Sequence, residues 1–470
     1  MMQYIHWRSK VNRVCTLIFA DACKLCRLSE GVGIRKMSKN KKLTQASFQV
    51  KASYIVMGLG QLFYKQWIKG LLYLSVFVGM IIYLMQTGIT DIKGFFTLGT
   101  QEADPWLGTA GDDSVIMLLR GLLAFILIGA FFIIHRSNIR DILACDQRLR
   151  EGKILPNFPQ AVGIFLDKKF YLAALAVPVA GVLVFNVLPI LFMILIAFTN
   201  YGGDIIPPKL VDWIGLDNFY KILSLTEIKD TFFRILIWNL IWAVLSTLIN
   251  YFGGLGLALL LNKKCVKGKR FWRAFPILAY AVPGFITLLA FKFLFSYGGP
   301  INYYITLYGG DAIGFLDIDA GVKAKVIGLV VNAWISIPTS MLLATGILSN
   351  MNTDLYEAAS IDGATKWKQF TKITLPFVIF STTPVLITNF IGNFNNFGVF
   401  YFLRGGLYMD GYFLASDTDL LINWLYNLSI DNNYYGIGAA VSLIIFVITS
   451  IFSLTVYVRS AAYKKEDTFR

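Results

Sequence analysis

Hydrophobic and polar positions in this chain alternate on a scale of tens of residues rather than of two or four. Eight predominantly apolar stretches lie near 67–86, 115–135, 171–199, 232–261, 274–296, 325–347, 374–402 and 436–458. Each reaches the ~20 residues that a helix needs to cross a bilayer core. The pattern predicts an all-α polytopic membrane protein with about eight transmembrane helices. Ahead of the first stretch, Tyr54–Gln66 is apolar but short and glycine-bearing, and reads as an interfacial segment leading into the first span. Residues 1–53 form a basic tail with no run of span length. Met37 opens Met37-Ser38-Lys39-Asn40-Lys41-Lys42, so residues 1–36 are expected to be an upstream extension. The apolar run around Thr16–Ala20 is too short for a signal peptide.

Composition agrees with this reading. Hydrophobic residues make up 56% of the 470, charged residues only 15%, and the mean hydropathy is +0.61, which excludes an ordinary soluble protein. The net charge of +15 would fit a nucleic-acid partner if it were spread over a surface. It is not. The intervals 1–66, 136–170, 262–273, 348–373 and 459–470 together hold 32 Lys/Arg, whereas 87–114, 200–231, 297–324 and 403–435 hold 6. By the positive-inside rule both termini are cytoplasmic, and the charge reflects topology in lipid rather than nucleic-acid binding.

No Asp or Glu falls inside a span. Five basic residues do (Lys69, Arg120, Arg234, Lys292 and Lys325), mostly near span ends where they can snorkel. An ion-coupled carrier usually needs an intramembrane acid or a broken-helix ion site, so this alternative is disfavoured, though it stays open. The chain has no P-loop, so any ATP hydrolysis belongs to a partner. With only His6 and His135, neither a catalytic triad nor a metal site is expected. The five cysteines fall in intervals assigned to the cytoplasm, and Cys23-Lys24-Leu25-Cys26 lacks a second pair at zinc-site spacing. No cofactor or catalytic residue is expected.

The interval 350–376 differs from the other loops because it reads as helix. Glu357, Ala358 and Ala359 favour helix, Asp354 is placed to cap it, and Gly363 permits a tight bend. A second helical run begins near Lys366, with Pro376 tolerated near its start. A helix–bend–helix standing outside the membrane is shaped to dock in a cleft of another protein. The flanking spans carry polar faces. Asn332, Ser336 and Thr339 share the i, i+4, i+7 spacing of one helix face, as do Asn389, Asn393 and Asn396. Amides are costly in hydrocarbon, so such faces line a cavity or bind helices together. Amides mixed with aromatics, and no buried charge, suit a neutral polyhydroxyl solute.

Glu357-Ala358-Ala359, three residues, Gly363, nine residues, then Ile373-Thr374-Leu375-Pro376 resembles the EAA loop of ABC-importer permeases at every position. Further stretches resemble the maltose-type permease family, and within it the F-type subunit. They are Met57-Gly58-Leu59-Gly60-Gln61, Phe198-Thr199-Asn200-Tyr201, Gly215-Leu216-Asp217-Asn218-Phe219 and Asn393-Phe394-Asn395-Asn396-Phe397. The resemblance covers roughly residues 50–465. It implies a type I ABC-importer permease in a bacterial cell membrane, divided into a tail (1–53), an N-terminal element with two spans (54–170) and a permease core (171–465).

The implied partners are a G-type permease subunit in a heterodimer, two ATPase subunits and an extracellular solute-binding protein. The implied cargo is an oligosaccharide, maltodextrin first and galacto-oligosaccharide as the alternative. Glu357, Ala358, Ala359, Asp362, Gly363 and Pro376 would couple to the ATPase. Asn332, Ile335, Ser336, Thr339, Asn389, Gly392 and Asn393 would contact the sugar. Maltose-specific members carry a tyrosine where Thr339 stands and a bulky aromatic where Gly392 stands, so this chain's pocket is expected to be wider. The interval Asn200–Thr231 is short where some relatives carry an inserted domain, which implies fewer contacts with the solute-binding protein.

Overall fold

The structure is a computed structural model that describes residues 47–459 apart from 104, 105, 107, 109, 110 and 264. The expected upstream extension and the Cys23–Cys26 pair lie outside the described residues. Apart from two isolated β-bridges, every regular element among the described residues is helical. Among the described residues seven helices are long and apolar enough to cross a membrane, or eight if one sharply bent pair counts as a span. The chain forms two compact units. One takes the described residues up to Ile89 together with Ala124–Ala176, the other Thr90–Leu123 and the described residues from Val177.

In the first unit, the expected interfacial segment is two short helices, α1 (Phe48–Ile55) and α2 (Leu59–Phe63), ahead of the first long helix, α3 (Trp67–Thr97). Gly58 turns the chain between them at φ +87°, and a Cβ there would sit 2.2 Å from the Gly70 carbonyl oxygen. Gln61 is fully buried and donates to Asn138 Oδ1 at 2.9 Å, and Asn138 in turn donates to the Ser53 carbonyl at 3.2 Å. Asn138 belongs to α4 (Ser114–Arg150), so one amide pair locks α1 and α2 against that helix. The Lys69–Asp141 ion pair at 3.1 Å and Tyr64 donating to Asp146 Oδ1 at 2.7 Å extend the clasp. The third long helix, α5 (Phe158–Ile196), breaks at Lys169, whose φ of −133° and ψ of 31° are not helical.

The second unit is organised around α6 (Thr226–Asn262), whose 37 residues extend about 55 Å at 1.5 Å per residue, well beyond a ~30 Å hydrocarbon core. It packs along α9 (Gly321–Ser349) and α11 (Leu375–Phe394), with the sharply bent pair and the interval 350–369 between them in sequence. Gly254 makes the close approach, since a Cβ there would fall 2.3 Å from Ser340 Cβ. Small residues at such contacts let helix backbones pack where lipid offers no hydrophobic drive for association. Trp242, Val331 and Phe400 form one buried cluster, and Tyr251, Leu255, Met341 and Val378 form another.

Two expected spans carry interruptions that the sequence pattern does not show. The stretch 274–296 is not one helix but two, α7 (Lys269–Ala281) and α8 (Gly284–Leu294), bent by 91°. Pro283 supplies no amide hydrogen and forces Val282 into extended geometry (φ −79°, ψ 131°), which hydropathy averaged over a window does not register. The stretch 374–402 is likewise interrupted. α11 ends at Phe394, and Asn396 Oδ1 accepts from the Val399 amide at 3.1 Å to start α12 (Gly398–Arg404).

Candidate functional site

The helix α10 (Asp354–Ile361) carries the Glu-Ala-Ala triplet. Contrary to the expectation from the sequence, Asp354 does not cap it. The residue preceding the helix is Thr353, the Asp354 amide donates to Asn352 Oδ1 at 2.9 Å, and Asp354 and Glu357 stand in the first turn beside the helix dipole. At the other end Gly363 adopts φ +74°. The Gly363 amide donates to the Ser360 carbonyl at 3.2 Å, and the Ala364 amide to the Ala359 carbonyl at 2.8 Å. This is a Schellman stop, which needs a left-handed residue where glycine stands. Thr365 then opens the next turn by accepting from the Lys368 amide at 3.3 Å. A wide turn, Phe370–Thr374, leads into α11, with Pro376 exposed in its first turn.

The bend is braced from within. Gln369 is buried and donates to Ser360 Oγ at 2.8 Å, and the Tyr356 and Thr374 hydroxyls lie 2.8 Å apart. The outer face is open. Glu357, Ala358, Asp362 and Gly363 are exposed, Ala359 is half-buried, and Ile361 (87%) and Trp367 (72%) project into solvent. Neither Glu357 nor Asp362 takes part in an ion pair among the described residues. The loop is therefore a rigid platform with apolar and acidic groups left free for another surface.

Residues on the two polar faces divide by environment. Asn332 is buried, and its Oδ1 accepts from Asn396 Nδ2 at 3.4 Å while its own Nδ2 finds no acceptor. Asn393 is also buried. Its Nδ2 donates to Thr247 Oγ1 at 3.0 Å, and its carbonyl accepts from Trp242 Nε1 at 3.0 Å. Asn393 thus bridges α11 and α6, as helix-bridging amides do in membranes, whereas Asn332 reaches only the break after α11. Ile335 packs half-buried against the cluster around Val331. Ser336 and Asn389 are half-buried, Thr339 is exposed, and a Cβ added to Gly392 would meet nothing within 4 Å.

A polar network around α12 is not foreshadowed by the sequence pattern, in which Arg404 falls in the interval 403–435 between two apolar stretches. The Arg404 side chain is fully buried and uses all five of its donors. Nε donates to the Leu316 carbonyl, Nη1 to Asp417 Oδ1 (3.1 Å) and Thr418 Oγ1 (2.9 Å), and Nη2 to the Asp317 (2.7 Å) and Ile318 carbonyls. Lys325 approaches Asp417 Oδ2 at 3.6 Å and lies 4.8 Å over the Trp238 ring. Asn239 on α6 accepts from the Leu421 amide at 2.9 Å and donates to the Phe394 carbonyl at 3.1 Å. Burial pushes the Asp419 carboxyl up to about 6, against the pull of its bonds to Ser416 and the charge of Arg404. An arginine at a span end followed by Asp417-Thr418-Asp419 was the available signal.

Among the described residues no group of three or more His, Cys, Asp or Glu is placed to hold a metal ion. A profile described as "Binding-protein-dependent transport system inner membrane component" matches residues 252–462, which contain α10 and both polar faces. The galactooligosaccharides transport system permease protein GanP of Bacillus subtilis is 32% identical over 418 residues, covering 88% of this chain and 97% of that protein. The maltodextrin transport system permease protein MalC of Streptococcus pneumoniae is 32% identical over 425 residues, covering 88% and 96%. The crystal structure of a bacterial ABC transporter involved in the import of the acidic polysaccharide alginate shares the fold, with a TM-score of 0.52 at 22% identity, over 63% of this chain and 97% of that one. With its long apolar helices and these relatives, the chain is a multi-pass membrane protein and belongs to the inner membrane permease components of binding-protein-dependent ABC importers.

Proposed function

We propose that this permease is the F-type half of a heterodimer that passes oligosaccharides inward, powered by two ATPase subunits and supplied by an extracellular solute-binding protein. The observation that carries the reading is the braced platform at α10, whose exposed face has no partner within the described chain while its base is hydrogen-bonded to the start of α11. Closure of the ATPases on ATP would then move α11 as a rigid body. Glu357 would engage the ATPase cleft by polar contact, and Gly363 would hold the bend. On this reading the termini and α10 are cytoplasmic, and residues 171–465 form the permease core.

The cargo we favour is maltodextrin, because maltodextrin permeases recur among the relatives at similar identity and the chain carries no acid inside a span that would disfavour or select ions. Galacto-oligosaccharide is the second reading, favoured by the equal identity to the GanP protein. Uptake by cells with and without the permease, across maltose, malto-oligosaccharides and galacto-oligosaccharides, tests both. Loss of maltodextrin uptake on deletion and with Glu357→Lys supports the reading. Loss confined to galacto-oligosaccharides replaces the cargo, and unaltered uptake with Glu357→Lys removes the coupling role.

A further inference from the structure

The first unit contains a cleft of about 730 Å³ between the start of α3 and the segment 149–159 joining α4 to α5, and a second of about 240 Å³ that shares Lys69 and Pro156 with it. Nothing in oligosaccharide transport by the second unit's polar faces uses either. The charged side chains on their otherwise largely apolar walls are mainly basic: Lys65, Lys69 and Lys153 in the larger, Arg148, Lys168 and Lys169 in the smaller, with Lys153 paired to Glu151 at 2.8 Å. The sole acid lining them is Asp141, and it is paired with Lys69 at 3.1 Å. Lys65, Arg148, Lys168 and Lys169 enter no ion pair among the described residues.

We propose that these joined clefts bind the phosphate headgroup of an anionic phospholipid. Their place in the fold fits a lipid. Lys65 and Lys69 flank the start of the spanning helix α3, and Lys168 and Lys169 sit at the break in α5, where the exposed apolar run Ile164–Leu166 gives way to a span. Trp67 lines the larger cleft and is largely exposed, as a ring anchored at headgroup level is. The chain's own residues 1–46 are a poor occupant, since they carry ten Lys/Arg against two acids. Basic side chains at a span's end attract anionic headgroups at about 1 kcal/mol each.

The test uses the purified full-length chain in detergent with phosphatidylglycerol, phosphatidylethanolamine or inorganic phosphate. Native mass spectrometry counts retained lipid for the wild type, Lys65→Gln/Lys168→Gln/Lys169→Gln, the single Lys168→Gln, and Lys209→Gln as a control outside the clefts. Selective retention of phosphatidylglycerol by the wild type and the control is expected, weakened about fivefold for each cleft lysine removed. Should the triple variant fail to fold, the single variant gives the same reading at smaller amplitude. Equal retention by wild type and Lys168→Gln would overturn the site. Displacement by millimolar phosphate would overturn the lipid in favour of a soluble anion.

Discussion

The Tyr356 hydroxyl lies 2.8 Å from that of Thr374, joining the exposed helix α10 to the turn from which α11 departs. Tyr356 also packs its ring against the cluster that contains Met351 and Val378. The exposed residues Leu355 and Ile361 are thus tied to the base of α11 through the Tyr356 ring, its hydroxyl and the bond from Gln369 to Ser360.

Tyr356→Phe keeps the ring and removes that bond, worth about 1 kcal/mol. Insertion and abundance should be unchanged, with oligosaccharide uptake reduced about fivefold and ATP hydrolysis by the assembled complex less dependent on loaded solute-binding protein. Tyr356→Ala should be more severe, because it also empties the packing. Parallel uptake and ATPase assays check this. Full coupling in Tyr356→Phe would assign the strength of the joint to the ring and the Gln369–Ser360 bond.

At Gly363 the left-handed backbone sets the order of tolerance. A Cβ meets no neighbour there, so the penalty is conformational, about 1–2 kcal/mol for most residues. Asparagine enters that region more readily than β-branched residues. Uptake should therefore fall in the order Gly363→Asn, Gly363→Ala, Gly363→Val. Gly363→Asp, which adds a negative charge at the C-terminal end of α10, should insert normally yet uncouple transport from ATP hydrolysis. A series that ranked by side-chain volume alone would point to a steric contact with the ATPase instead.

How much of this was legible follows from how far each signal reaches along the chain. The Glu357–Gly363 spacing is a local affair of one helix and its stop, and it appears in the structure as the sequence reads, except that Asn352 and not Asp354 starts the helix. The amide faces were legible as faces only. Asn393 finds Thr247, 146 residues away, and no periodicity names a partner at that distance. Pro283 was visible, but a window average over an apolar run hides a 91° bend. Arg404 reads as an exposed loop charge because the carbonyls that bury it, from Leu316 to Ile318, belong to another interval.

Arg404 itself gives a stability prediction. Replacing it by leucine leaves Asp417 with Lys325 alone and strands three carbonyls, and loss of one partner of a buried charge pair costs up to about 3–5 kcal/mol. Arg404→Lys should recover little, since an ammonium cannot reproduce five forked donors. Thermal unfolding in detergent should show Arg404→Leu and Arg404→Lys both well below wild type. A Lys variant as stable as the wild type would mean that charge and not geometry holds the loop.

Asp419 predicts a pH dependence of the opposite sense to the usual carboxylate. Its folded value of about 6 lies above the ordinary aspartate value of about 4, so between those limits the folded chain keeps a proton that the unfolded chain has released. The contribution is fully present below pH ~4, is lost as pH rises through about 6, and is flat beyond. Its upper bound is about 3 kcal/mol. Asp419→Asn should remove the slope between pH 4.5 and 7 and raise thermal stability at pH 7. An unchanged slope in that variant would place the titrating group elsewhere.

Gly392 tests the proposed sugar path without disturbing the fold, because a side chain added there projects into open space. Thr339 on α9 is likewise exposed, and the contacts between α9 and α11 bring the two helices together. If the path runs along these faces, an aromatic ring at 392 narrows it while offering a surface for a sugar ring to stack on. Short sugars should then gain relative to long ones. The Gly392→Phe permease is expected to keep maltose uptake near the wild-type level and to lose malto-heptaose uptake by about tenfold, the scale of one disfavoured contact of about 1.4 kcal/mol. Thr339→Tyr should act in the same direction, and the double variant should be more selective than either, since neighbouring changes couple. Competition between labelled maltose and unlabelled chains of increasing length measures this in one assay. A uniform loss across all lengths would mean that position 392 gates movement and does not select cargo.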